Sequence, residues 1–172
     1  MASFKSGNFD FVVLTTHIRW GDSESGRAPE LKALANWVAA KTELIKKGRK
    51  SWDEPDILVM GDFNIPSRQS PLFEALTSTG LRVPSALSKD EFGSNLARDK
   101  RYDQILHLPL YPENFTGHGG VVDFYMNDHK PLFPDLDKDA FTYQMSDHLP
   151  LWVQLHTDID MHQLDQIIQA GR

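Results

Sequence analysis

The chain alternates between short, strongly apolar runs and longer segments in which apolar positions recur every three or four residues. Phe9-Asp10-Phe11-Val12-Val13-Leu14-Thr15-Thr16 is almost wholly β-branched or aromatic, and predicts a strand that delivers His17 at its end. Pro29 suits the first turn of a helix, and Leu31, Leu34, Ala35, Val38, Thr42 and Ile45 follow at helical spacing. Lys46-Lys47-Gly48 then offers a basic last turn and a C′ glycine. Ile57–Met60, after the breaker Pro55, reads as a buried central strand that ends at Gly61. Strand, helix and strand make a crossover of the length that parallel pairing requires.

Ser70-Pro71 opens a second helix, with Ser as N-cap, Pro at the first helical position and Glu74 near the positive end of the dipole; Gly80 closes it. Leu81-Arg82-Val83 is a short extended piece, and residues 88–100 form a polar loop carrying Phe92-Gly93-Ser94-Asn95. Further strands are expected at Tyr102–Leu108, Gly120–Met126 and Leu149–Leu155, with residues 127–140 as a long loop containing Pro131 and Pro134. Leu164, Ile167 and Ile168 give the tail one apolar stripe, as in a terminal helix. The pattern describes an α/β domain over residues 9–156, preceded by a tag or lead-in at 1–8 and followed by a helical tail at 157–172.

Composition narrows the class. The 172 residues suffice for one domain with a real core, and 40% apolar and 10% aromatic content exclude a disordered chain. A formal charge of −6 gives no general polyanion-binding signature, yet suits a site built from carboxylate ligands. Cysteine is absent, which excludes disulfides, thiol nucleophiles and Cys-based zinc sites. No run approaches transmembrane length and no signal peptide is visible, so a reducing, cytoplasmic setting is the expectation.

Four polar clusters adjoin predicted strands: His17, Asp62 with Asn64, Asp103, and Asp147 with His148. In α/β sheets functional side chains gather where strands end and loops begin. Hydrolysis of a phosphate ester needs an activated water, neutralised phosphoryl oxygens and a stabilised leaving oxygen. Carboxylates can hold a divalent cation that acts as Lewis acid, while a histidine oriented by an aspartate can move protons. Structural alternatives stand beside each residue. Asp62 and Asn64 could cap an Asx-type turn, and Asp103 could pair with Arg101. His107 alternates with apolar neighbours and reads as structural. The spacing of His118, Asp123 and His129 makes a poor zinc site, and adjacent Ser146, Asp147 and His148 cannot form a triad along one strand, where neighbours face opposite ways.

Thr16-His17, Gly61-Asp62-Phe63-Asn64, Tyr102-Asp103-Gln104-Ile105 and Ser146-Asp147-His148 resemble, in order, the motifs of the endonuclease/exonuclease/phosphatase superfamily. That group includes pancreatic-type DNases, abasic-site endonucleases, bacterial sphingomyelinases and inositol polyphosphate phosphatases. The resemblance runs from Phe9 to Leu155 and implies a DNase-like α/β sandwich with divalent-metal-dependent phosphoesterase activity. It implies that Asp62 orients the attacking water and that Asn64 holds a phosphate oxygen. It implies too that His148 exchanges a proton or stabilises charge on the phosphorane, with Asp103 hydrogen-bonded to its far ring nitrogen. The same resemblance implies that His17 contacts the phosphate and assists the leaving group, and that Asp147 helps bind Mg²⁺ or Mn²⁺.

The family domain is longer, and its first half supplies an Asn and a metal-binding Glu that have no counterpart here. The chain therefore resembles the C-terminal portion of the catalytic domain, carrying mainly one mixed sheet with flanking helices. An apolar sheet face left open in this way would be covered by the missing N-terminal half or by a homodimer. The expected activity is phosphodiester or phosphomonoester hydrolysis in the parent protein and weak or no turnover in this chain alone. The alternative is a non-catalytic binding or scaffold module that retains the fold. Specificity would sit in the loops Trp20–Arg27, Lys89–Lys100 and His118–Asp139, with Lys89, Arg98, Lys100 and Arg101 as one basic patch. The phosphate-ester substrate is left open between nucleic acid, phospholipid headgroup and inositol phosphate.

Overall fold

In the computed structural model the residues described are 1–21, 23–47, 56–89, 93–110, 112–124, 129–131, 133–158 and 168. A four-stranded mixed sheet runs in the order β1 (Ala2–Ser6), β2 (Phe9–His17), β3 (Ile57–Asp62), β4 (Asp103–His107). β2 and β3 pair in parallel, as a crossover requires, whereas β1 on β2 and β4 on β3 are antiparallel. A separate antiparallel pair joins β5 (Phe115–Val121) to β6 (Leu151–Leu155).

The period-2 alternation of the strands decides which side chains share a face. Val12 of β2, Ile57 and Val59 of β3 and Leu106 of β4 point to one side and are buried there. Helices α1 (Glu24–Lys46) and α2 (Pro71–Thr77) cover that side with Leu31, Ala35 and Val38, and with Leu72 and Leu76. Ser70 caps α2 as its sequence predicts, its Oγ accepting from the Phe73 N–H. Thr79 ties the two helices together through the Ala35 carbonyl, at 2.8 Å. The other face of the sheet carries Phe11, Val13 and Thr15 of β2, Met60 and Asp62 of β3, and Ile105 of β4. Phe4 on β1 stacks on Phe11 at 5.5 Å and is itself 49% exposed.

Several boundaries differ from the sequence pattern. Residues 2–6, expected as lead-in, form β1, because the exposed edge of β2 offers its ladder and Phe11 offers Phe4 a ring to stack on. α1 starts at Glu24, not Pro29. Pro29 costs a hydrogen bond to, and crowds, the carbonyl of residue 25, but the turn ahead of it keeps Arg27 on the buried stripe of Leu31, Ala35 and Val38. The strand expected at Gly120–Met126 lies instead at Phe115–Val121, where β6 supplies its ladder. Within the predicted loop 127–140, Asp137 caps a third helix, α3 (Lys138–Gln144), its Oδ1 accepting from the Ala140 N–H at 2.8 Å. Gly48, and Leu164 and Ile167 of the expected terminal helix, lie outside the described residues. Among the described residues no helix is long and apolar enough to cross a membrane.

Candidate active site at three adjacent strand ends

Register builds the site. His17 ends β2 opposite Asp62 at the end of β3, and Asp62 stands opposite Asp103 at the start of β4. The three residues form one row across the sheet, all on the face away from the helices. His148 joins the row from a distant loop. Its backbone bridges to Asn95, and Leu149 donates to the Ser94 carbonyl at 2.6 Å. There the His148 Nδ1 lies 2.7 Å from Asp103 Oδ2.

Each side chain is held from a second direction. Asp62 Oδ1 accepts the Asn64 N–H at 2.8 Å, so the Asx turn is present, and Oδ2 remains 3.4 Å from His17 Nε2. The turn is sharp because Gly61 sits at φ +142°, where a Cβ would meet the Thr16 carbonyl oxygen at 1.9 Å. Asn64, at φ 52°, is 6% exposed and gives its Nδ2 to the Ile18 carbonyl at 2.6 Å. Its carboxamide thus ties the β3 turn to the end of β2. Asp103 is anchored by its own N–H donating to Ser94 Oγ at 3.0 Å. Tyr102 stacks on the His148 ring, with centroids 5.7 Å apart and planes at 25°.

Burial pushes the Asp103 carboxyl above the usual carboxylate range. The Ser94 hydrogen bond and His148 pull it back, and the Asp62 charge adds to the rise. Like charges directly opposed on neighbouring antiparallel strands are costly, so the Asp62–Asp103 pairing is an arrangement that folding alone disfavours. One ligand atom from each of Asp62, Asp103 and His148 lies within 4.8 Å of the others. Two hard carboxylates and an imidazole suit a divalent cation such as Mn²⁺, and the carboxylates suit Mg²⁺. Asp147, the expected cation ligand, is exposed and stands outside this group, lining a different recess with Asp139, Thr142, Tyr143 and Ser146. Beside the site, an apolar cavity of about 580 Å³ is lined by Met60, Ile105, Phe124, Met145, Leu149 and Leu151.

Other expectations resolve differently. The basic patch does not gather: Arg98 pairs with Asp123 at 3.2 Å, and Arg101, 9% exposed, turns inward to the Lys89 carbonyl. The zinc trio does not form among the described residues. His118 bonds to Gln154 and Thr116, and His129 reaches the Leu136 carbonyl and stacks on Phe141. His107 is buried against Phe115 with Nδ1 at 3.0 Å from the Leu108 carbonyl, as a structural residue should be. The sequence placed Trp20, Arg27 and Ser94 only within loops expected to set specificity, and Tyr102 only within its motif beside Asp103; the individual parts they play at the site come from the structure.

No family model and no curated protein matches the sequence. Among solved structures, a crystal structure of beta toxin from Staphylococcus aureus superposes on 90% of this chain with a TM-score of 0.51 and 17% sequence identity. The chain spans about half of that protein, 55% of its length. The likeness is one of fold alone.

Proposed function

We propose that the site belongs to a divalent-metal-dependent phosphoesterase of DNase-like fold. The observation that carries the reading is the row His17–Asp62–Asp103, completed by His148 at 2.7 Å from Asp103. An ionised carboxylate can only accept, so Asp103 fixes the proton on His148 Nδ1 and leaves the Nε2 lone pair for proton exchange with the phosphoryl group. Asp62 has one oxygen held by the Asn64 N–H, and the other, 3.4 Å from His17 Nε2, orients a water for attack. His17, at the exposed end of β2, takes the phosphate near the departing oxygen. Asn64 serves by keeping the turn in place. Asp62 and Asp103, with Asp147 as the further expected ligand, would hold Mg²⁺ or Mn²⁺, which when bound supplies Lewis-acid polarisation of a phosphoryl oxygen.

The fold likeness to a chain nearly twice as long, together with the apolar cavity beside His148, supports reading the chain as a C-terminal portion completed by a further polypeptide half. The exposed position of Asp147 favours the alternative of a non-catalytic module that keeps the geometry. Hydrolysis of bis(4-nitrophenyl) phosphate with Mg²⁺ or Mn²⁺ separates the two, measured for this chain, His148→Ala and a form extended upstream. Activity that needs the extension and disappears with His148→Ala supports the enzyme; silence of all three forms supports the scaffold.

A further inference from the structure

Trp20 lies at the rim of the site and is 60% exposed, an unusual setting for so large an apolar ring. It is nevertheless held in place. The Arg27 guanidinium sits 5.2 Å from its ring centroid, and Tyr102 meets it at 6.0 Å and 89°. Tyr102 in turn stacks on His148, so an aromatic path leads from the indole to the imidazole. Arg27 is fixed from below: it is 8% exposed and donates to the Asn64 carbonyl. Its Nε has no hydrogen-bond partner among the described residues, and no carboxylate there forms an ion pair with it. A buried cation with no counter-ion among the described residues stabilises little, so holding the indole is a function in which its position makes sense.

We propose that Trp20 is a specificity-determining residue whose open indole face stacks a planar, uncharged aromatic ring carried by the phosphate ester. The proposal rests on the phosphoesterase reading above and deepens it. A ring already ordered by Arg27 and Tyr102 gives up little rotamer freedom when a ligand stacks on it. The charge of Arg27 selects the ligand: a guanidinium on one face of the indole repels a second cation on the other, which disfavours a quaternary ammonium group. It leaves a neutral ring unaffected. A long polyanion is disfavoured too, because Arg98 is neutralised by Asp123 and Arg101 points inward. What remains is a small ester bearing one aromatic ring, either a nucleobase or a simpler arene.

Calorimetric titration of the full chain with Mg²⁺ tests this, using adenosine 5′-monophosphate, phenyl phosphate, choline phosphate and ribose 5-phosphate. The ring-bearing ligands are expected to bind roughly tenfold or more tightly than ribose 5-phosphate. Trp20→Leu should remove that preference, leave ribose 5-phosphate binding unchanged, and melt at the wild-type temperature. Trp20→Phe should retain most of the preference. A preference for adenosine 5′-monophosphate alone identifies a nucleobase, and one shared with phenyl phosphate identifies any arene; both support the proposal. It is overturned if the preference survives in Trp20→Leu, if choline phosphate binds as well as the ring-bearing ligands, or if all phosphates bind equally. If no phosphate binds either this chain or the form extended upstream, the phosphoesterase reading falls and this proposal with it.

Discussion

His148 Nδ1 and Asp103 Oδ2 meet at 2.7 Å although 45 residues separate them along the chain. The contact depends on a loop bridge, Asn95 to His148, and on Ser94, which holds both the Leu149 and Asp103 amides. If the pair acts as a unit, removing either partner removes most of its effect. His148→Ala should lower turnover by about 10²- to 10⁴-fold, in whichever form is active. Asp103→Ala should cost a similar factor, and the double variant little more than either alone. Additive losses in steady-state assays of the three variants would separate the two residues.

Asp103 and His107 lie at opposite ends of β4 and carry opposite proton linkage. Burial raises the Asp103 carboxyl, so the folded state holds that proton more tightly than the unfolded chain. Its charge opposes folding, and the opposition grows as pH rises from the ordinary carboxylate value through the raised one. Burial lowers the His107 imidazole, so stability is lost as pH falls below about 6.5 towards its depressed value. Urea unfolding of wild type and Asp103→Asn should show the variant gaining relative stability as pH climbs from about 3.5 to 6. A constant difference across that range would contradict the linkage.

Gly61→Ala should be severe. Its φ of +142° and the 1.9 Å approach of a Cβ to the Thr16 carbonyl oxygen force either the turn or the β2–β3 ladder to give way. A loss of about 2 kcal/mol or more is expected in denaturant melts. Gly21→Ala, where an added Cβ meets nothing within 4 Å, should stay within about 0.5 kcal/mol.

Cation binding should follow the opposed carboxylates. Asp62→Asn should weaken Mn²⁺ binding by about tenfold or more, read by calorimetry or electron paramagnetic resonance. The same substitution relieves the charge opposition to Asp103, so the metal-free protein should unfold no more easily. Asp147→Asn, on an exposed side chain outside the cluster, should change Mn²⁺ binding less than Asp62→Asn does.

Much of the architecture is decided by local pattern. The β-branched runs at Phe9 and Ile57, the apolar stripe from Leu31 to Val38 and the Ser70-Pro71 cap each act within one or two turns of chain, so each is legible in the residues themselves. Period 2 likewise puts His17 and Asp62 at strand ends. It cannot say which strand lies beside which. Register sets His17 against Asp62 and Asp62 against Asp103, and the Asn95–His148 bridge with the Ser94–Leu149 contact brings His148 to them. Tertiary pairing also made strands of Ala2–Ser6 and the glycine-rich Phe115–Val121, turned Arg101 inward and left Asp147 outside the cluster. Short-range preferences determine elements because their energies are local. The site belongs to contacts between distant segments, whose energies exist only once the sheet has formed.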